Sequence, residues 1–559
     1  MLAGIVLIAC GLAITLYTIQ IVKGGEYSAK AQKQYVKPTN TVFDRGSIFF
    51  SAKDGSKPVA ATLTTDYSLY MNPKLVKDPT GTYQALSQYT KIDQVQFLKK
   101  AGLTDDPYEE LIKKIEPSVA QSIAELSLSG IGVTKINSRS YPGDRLAAQT
   151  LGLVGENDGL VQGRYGLEST YENVLLRPTS GSTASLFAQL FTSKQSSVPE
   201  NVSAVHGDIV TTLEPTVQAY LEKTLVKTDN LWNPDEIGGI IMDPHTGKLI
   251  AMGALPSFDP NDTSTVKNPA VFSNPLVESS YEMGSIMKPL TIATGLDSGA
   301  ITPTWTYNDT GTMTLSGKKF SNFDGKARGV VPVQEILSQS LNIGAATVAL
   351  KVGKDKFAKY FTSFGIGSKT GIDQPSETAG LTGNLKTKRD VEIATMAYGQ
   401  GIALSPIATI RALAVLANGG VLAQPHLVQE IDYVDGTKKL INPVQGKLVL
   451  NKKSVEDTTR MMVKAFDTAL RQGQFKIEHY SVATKTGTAQ IADPATKSYY
   501  SDRYLHSFVG YFPAYDPKFI LFLYQKYPKG AQYASDTLTE PFSDLTKFLI
   551  DYYNIPPDR

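Results

Sequence analysis

The amino-acid sequence predicts an α/β (α+β) chain in three stretches. One N-terminal transmembrane helix (1–22) comes first, then an elongated α+β module (23–205). The third and largest (206–559) has a central antiparallel sheet with a helical subdomain. Three observations carry this. Leu2 to Val22 is an apolar run without a charge. The stretch that follows, to about residue 200, is a succession of short mixed pieces. Beyond it, strand-like segments stand at both ends with helical segments between, so one sheet is split in sequence and helices fill its middle.

Composition sets the outer bounds. A chain of 559 residues exceeds one ordinary domain of roughly 100–200 residues. Hydrophobic residues at 42% and charged residues at 19%, with 21 Phe and 28 Tyr, make a folding composition. Lys plus Arg at 55 against Asp plus Glu at 53 leaves a net charge of +2, which argues against nucleic acid as a partner. The single Cys10 excludes a disulfide framework and a cysteine zinc site. His206, His245, His426, His479 and His506 are scattered, with no close pair at ligand spacing, so neither a metal nor a cofactor is expected.

The elements follow in order. At about 1.5 Å per residue, Leu2–Val22 reaches about 31 Å as a helix, enough to span a bilayer. It exceeds the usual signal-peptide core and no small-residue cleavage site follows, which favours an uncleaved anchor. Lys23 to Lys37 reads as a polar helical stalk, and Thr39–Phe50 as a strand around a turn. Between Lys91 and Leu128, apolar residues at 3–4 spacing in FLKKAGL and YEELIKKIEPSVAQSIAEL predict helices, with Pro117 between two of them. Ile131–Ile136 reads as a strand and Thr192–Asn201 as a loop. Ile237–Asp243 and Lys248–Leu255 are strands joined by a Pro-His-Thr-Gly turn. Helices are expected over 285–299, 332–352, 390–398 and 405–418. Strands are expected over Ser481–Ile491, Ser507–Phe512 and Phe519–Lys526, then a helix over Pro541–Tyr553.

The chemistry rests on a serine and a lysine one helical turn apart, where a base can reach a hydroxyl. Three Ser-x-x-Lys matches occur. Ser264/Lys267 lies in a polar loop and Ser316/Lys319 beside the breaker Gly317. Ser285/Lys288 alone leads an apolar-periodic segment, SIMKPLTIATGLDSG, and Pro289 is tolerable near a helix start. Ser340-Leu341-Asn342 follows, and then Lys485-Thr486-Gly487 amid β-prone residues, where Gly487 lets another backbone approach. A second Lys-Thr-Gly at 369–371 stands in a loop composition. Taken singly, Lys288 reads as a solvated lysine, Ser340 and Asn342 as turn caps, and Lys485–Gly487 as a strand end. Order and context together favour a site.

This ordered trio marks penicillin-binding proteins and class A β-lactamases. The chain resembles the class B penicillin-binding proteins, the monofunctional peptidoglycan DD-transpeptidases. YEMGSIMKP is similar to the family's nucleophile segment, and GGIIMDPHTGKLIAMGALPSFDPN to its preceding strand pair. AYGQGIALSPIATIRALAVLANGG, KTGTAQ and SFVGYFPAYDP resemble its later helices and strands, and FDRGSI and YGLESTYENVL its N-terminal pedestal. Two departures stand out. No basic tail precedes the apolar run, and LLRPTSG replaces the pedestal's usual Leu-x-Gly. Residues 66–130 match no part of the family pattern, and Asp44, Arg45 and Glu168 read as structural, salt-bridged residues.

The resemblance implies a serine acyltransferase fold, with 23–205 as the pedestal and 206–559 as the penicillin-binding domain. It also implies acyl transfer from a D-Ala-D-Ala stem peptide and acylation by β-lactams. Ser285 would attack, a neutral Lys288 would take its proton, and Ser340 would relay a proton to the leaving amine. Asn342, Lys485, Thr486, Gly487 and Thr488 would hold substrate, with the amides of Ser285 and Thr488 as the oxyanion hole. The partner implied is a membrane-embedded SEDS-type glycan polymerase, with the catalytic domain outside a bacterial cell membrane. The competing readings are a DD-carboxypeptidase, a β-lactam sensor or hydrolase of the same fold, and a non-catalytic scaffold of the division machinery.

Overall fold

The computed structural model describes residues 44–157, 160–177 and 206–559, apart from 388, 445 and 497, together with Lys23. The expected membrane span, the stalk beyond Lys23 and the loop at 192–201 lie outside the described residues. Among the described residues no helix is long and apolar enough to cross a membrane. The chain divides into two compact units. One takes in residues 63–138; the other takes in 46–62, 139–177 and the described residues from 206 onward.

The smaller unit is a sheet backed by helices. Strand β1 (Val59–Met71, its opening residues counted with the larger unit) pairs antiparallel with β2 (Glu109–Ile115) and also pairs with β3 (Ile131–Ser140). Helices α1 (Pro79–Ser87), α2 (Gln94–Ala101) and α3 (Pro117–Glu125) start at Asp78, Asp93 and a proline, respectively. The two aspartates cap through their side chains, supplying acceptors for amides that have no partner within the helix. Leu69, Met71, Leu86, Phe97, Ile115 and Ile123 form the core. The helix expected over YEELIKKIE is instead strand β2. Its Glu, Leu and Lys favour a helix locally, but Leu69↔Ile112 and Tyr67↔Ile115 pairing wins.

The larger unit holds the sheet read from both ends of the sequence. Strands β4 (Glu236–Met242), β5 (Leu249–Leu255), β6 (Ala483–Asp493), β7 (Ser498–Phe512) and β8 (Phe519–Lys526) run antiparallel in the order β6-β7-β8-β4-β5. Strand β8 is apolar almost throughout because both its faces are covered. Phe519, Leu521 and Leu523 join a core with Leu221 of α4 (Pro215–Trp232). Ile520, Phe522 and Tyr524 join the core on the opposite face, toward the helical region. A period of two thus sorts one strand between two cores. Phe542 and Leu545 of the C-terminal helix (Thr539–Tyr553) complete the first core.

The opposite face carries α5 (Lys288–Asp297), α6 (Asn342–Val352), α7 (Pro406–Ala417) and α8 (Lys452–Lys464). Every residue of α7 is buried, and its one charged side chain, Arg411, donates to the carbonyls of Gly365, Ser368 and Lys369. Two expectations need correction here. The segment 285–299 opens with a 3-10 turn, Gly284–Met287, before α5 begins. The helix expected over 332–352 is broken into Gln334–Ser338 and α6, because Ser340 takes a left-handed backbone (φ 55°) that no helix accommodates. Elsewhere in this unit, Arg139 and Glu168 form a buried ion pair at 2.7 Å, and Tyr141 also donates to Glu168.

Candidate active site

The single 3-10 turn Gly284–Met287 runs straight into α5, so Ser285 and Lys288 sit one turn apart at a helix start. The turn is held by backbone contacts on two sides. Gly284 N donates to Gly399 O at 3.0 Å, and Ser507 Oγ of β7 donates to Met283 O at 2.7 Å. Strand β6 passes against the same turn. A Cβ on Gly487 would meet Met283 O at 2.4 Å and Ser285 N at 3.1 Å, so only glycine permits this approach.

Lys288 is fully buried beneath the serine. Its Nζ donates to Ser340 O (2.5 Å), Ser340 Oγ (3.0 Å) and Asn342 Oδ1 (2.8 Å). The left-handed Ser340 is what turns both its carbonyl and its hydroxyl toward the amine. Asn342 is oriented in turn by donating Nδ2 to Ser321 O at 2.9 Å. Among the described residues no hydrogen bond joins Lys288 Nζ to Ser285 Oγ; all three acceptors belong to the Ser340–Asn342 turn. Burial first, and the charge of Lys485 second, hold Lys288 well below the ordinary lysine range. A neutral amine donates two of these bonds and accepts the third from the Ser340 hydroxyl, so a proton can pass either way there.

On the sheet side, Lys485 is buried and donates to Thr486 O at 2.8 Å. Burial pushes it down to about 7. Thr488 Oγ1 accepts from Ala534 N at 3.0 Å and keeps its own hydrogen to donate. Ser285, Ser340, Asn342, Lys485, Thr486 and Thr488 line one cleft of about 1140 Å³. Lys288 and Gly487 lie behind its wall. The structure therefore brings together every residue the sequence singled out.

The rejected copies are placed otherwise. Ser264 and Lys267 are exposed, with Ser264 Oγ on Asp262. Ser316 occupies the turn of a hairpin, although Lys319 reaches the cleft from it. The Lys369–Gly371 loop is tied down by its backbone: Arg411 donates to Lys369 O, and the amides of Thr370 and Gly371 donate to Glu377.

Sequence reasoning missed other parts of the cleft. Phe323 and Tyr533 meet edge-on at 5.9 Å between ring centres, and both line it with Arg328 and Tyr499. The only sequence signal for Phe323 and Tyr499 is an aromatic residue in the polar stretches FSNFDG and SYYSDRY. His506, opposite Thr488 in the β6–β7 register, was a scattered histidine by sequence. Its Nε2 donates to Gln532 O (3.1 Å) and its Nδ1 accepts from Thr537 Oγ1 (2.9 Å), pinning the segment that bears Tyr533. Burial pushes His506 down to about 4, so it stays neutral. Among the described residues no cluster of His, Cys, Asp and Glu could hold a metal.

The family model described as the penicillin binding protein transpeptidase domain matches residues 237–547, and that of the penicillin-binding protein dimerisation domain matches 44–208. Stage V sporulation protein D of Bacillus subtilis is 28% identical, covering 94% of this chain and 80% of its own length. The peptidoglycan D,D-transpeptidase FtsI of Escherichia coli is 24% identical, covering 96% and 87%. Among solved structures, penicillin-binding protein 2X of Streptococcus thermophilus superposes with a TM-score of 0.73 at 20% identity, covering 91% of this chain and 80% of that one. Penicillin-binding protein 3 of Mycobacterium tuberculosis, complexed with aztreonam, gives 0.69 at 20% identity, covering 93% and 98%.

Proposed function

The chain belongs to the penicillin-binding transpeptidase family, and from that premise we propose the following division of labour for a peptidoglycan D,D-transpeptidase. Ser285 Oγ attacks the carbonyl of the penultimate D-Ala of a stem peptide, and Lys288 takes its proton. The amides of Ser285 and Thr488 receive the developing oxyanion. Ser340 Oγ, 3.0 Å from Lys288 Nζ, passes a proton to the nitrogen of the departing D-Ala. An amine of a neighbouring stem then displaces Ser285 and closes the crosslink. Lys485, with the hydroxyls of Thr486 and Thr488, holds the terminal carboxylate, and Asn342 faces the peptide backbone. A β-lactam follows the first half of this path and stays on Ser285.

The observation that carries the reading is the buried Lys288. Burial and the nearby Lys485 hold its amine well below the ordinary lysine range, at a helix start that presents a serine a turn away. Preorganised amide donors at such a site typically contribute about 10²–10³ in rate. Mass spectrometry of penicillin-treated protein tests it. The adduct is expected on the peptide containing Ser285 and is lost in Ser285→Ala; an adduct elsewhere, or none, overturns it. Release of D-Ala without crosslinked dimer in a purified assay would turn the assignment to a carboxypeptidase.

The finer reading places residues 1–22 in a bacterial cell membrane as a single anchor, 23–205 as the pedestal, and 206–559 outside the cytoplasm. A SEDS-type glycan polymerase and other division or elongation proteins are its partners. The uncharged run Leu2–Val22 and the pedestal motifs support this reading.

A further inference from the structure

Glu282 stands three residues before the nucleophile and takes no part in the chemistry above. Its carboxylate nevertheless joins three elements. Oε1 accepts the amide of Gly401 at 2.8 Å, and the Tyr499 hydroxyl donates to both carboxyl oxygens, at 3.1 and 3.0 Å. Gly401 is fixed at its other end too, since its carbonyl accepts Asn384 Nδ2 at 2.7 Å. The 399–401 turn also holds the residue before Ser285, because Gly399 O accepts Gly284 N. A Cβ on Gly399 would meet Gly284 O at 1.8 Å, so the two backbones are pressed together. Tyr499 belongs to the far end of the β6–β7 ribbon, beyond an irregularity in its pairing at Gln490–Ala492. Tyr499, Gln400 and Gly401 line the cleft, and Glu282 lies behind them.

We infer that Glu282 is a positioning residue for acylation. It locks the nucleophile turn, the 399–401 turn and the tip of the β6–β7 ribbon into one rigid end of the cleft. Two donors converge on one carboxylate, and charged acceptors make the stronger hydrogen bonds. Burial raises the Glu282 carboxyl above its ordinary range, in keeping with a group kept from solvent between its partners. Loss of the lock frees Tyr499 to swing away and lets the 283–285 turn drift, and misplacement of about 1 Å can cost up to about 10² in rate.

The inference rests on the acyl-transfer reading, so its test has one arm that does not use it. Hydrogen–deuterium exchange on the full chain is expected to rise in peptides covering 398–402 and 498–500 in Glu282→Ala, and unchanged exchange there overturns the lock. The second arm is the rate of acylation by benzylpenicillin, read beside the thermal midpoint. Glu282→Ala is expected to acylate about 10-fold slower. Glu282→Gln keeps an acceptor for Gly401 and Tyr499 and is expected within about 3-fold of the parent. Tyr499→Phe falls between them, and the double Glu282→Ala/Tyr499→Phe variant is no slower than Glu282→Ala alone. A parent-like rate in Glu282→Ala or Tyr499→Phe, a Gln variant as slow as Ala, or losses that multiply would each overturn it. A fall in thermal midpoint with the rate unchanged would mark Glu282 as merely structural. Should Glu282→Ala fail to fold, Tyr499→Phe and Glu282→Gln carry the decision.

Discussion

The chain contains Lys-Thr-Gly twice, and the two copies could hardly differ more in what surrounds them. Lys485–Gly487 lies within strand β6, paired residue by residue with β7 (Lys485↔Val509, Gly487↔Ser507) and pressed against the nucleophile turn. Lys369–Gly371 lies in a loop whose backbone is tied to Arg411 and Glu377, with Gly371 at φ 77°. In the first copy the lysine is buried beside a second lysine and has lost much of its basicity. In the second the tripeptide's polar backbone is what the structure uses. The same tripeptide thus stands at the proposed active site in one place and in a turn in the other. The neighbours supplied by the sheet decide which.

Lysine replacement should break the comparison most widely. Lys485→Ala is expected to slow acylation by benzylpenicillin about 10²–10³-fold, through loss of the cation that meets the substrate carboxylate. Lys369→Ala should leave that rate unchanged, and stopped-flow measurement on both variants checks it. Glycine replacement comes next. Gly487→Ala drives a methyl onto Met283 O and should slow acylation about 10-fold or more, because the nucleophile turn must move. Gly371→Ala meets only the end of the Gln424 side chain, but its positive φ should lower stability by about 1–2 kcal/mol with the acylation rate kept. Denaturant midpoints and acylation rates, measured together, separate the two.

The smallest effect is on pH. Binding of a carboxylate needs Lys485 charged, and in the free protein that charge is lost as pH rises through about 7. Lys288 is held well below its ordinary range, by burial first and by the charge of Lys485 second. The second-order acylation rate should therefore fall several-fold between about pH 7 and 8. Lys485→Arg, whose guanidinium stays charged, should lack that alkaline fall even if slower at every pH.

Much of the site was legible because its parts are local. Ser285 and Lys288 need only one helical turn, and β6 shows its character by alternation. The five strands of the large sheet were likewise readable, since β4, β5 and β8 are short apolar runs between turn residues. What escaped depends on distant neighbours. Nothing near Ser340 announces a left-handed residue inside an apolar-periodic stretch; the demand comes from Lys288, far back in sequence. Segment 109–115 has the side chains of a helix and becomes a strand because Tyr67–Met71 offers it an edge. Glu282 and Tyr499 are ordinary residues until the ribbon folds back over the nucleophile turn.

The left-handed backbone at Ser340 has a practical consequence for anyone who would make this protein hardier. A chain position in that conformation invites glycine, which relieves a cost of about 1–2 kcal/mol for an L-residue. Accepting the invitation would remove the hydroxyl that, among the described residues, alone hydrogen-bonds the buried amine. A consensus of backbone preferences and a working enzyme ask for different letters here, and the natural sequence has sided with turnover over toughness.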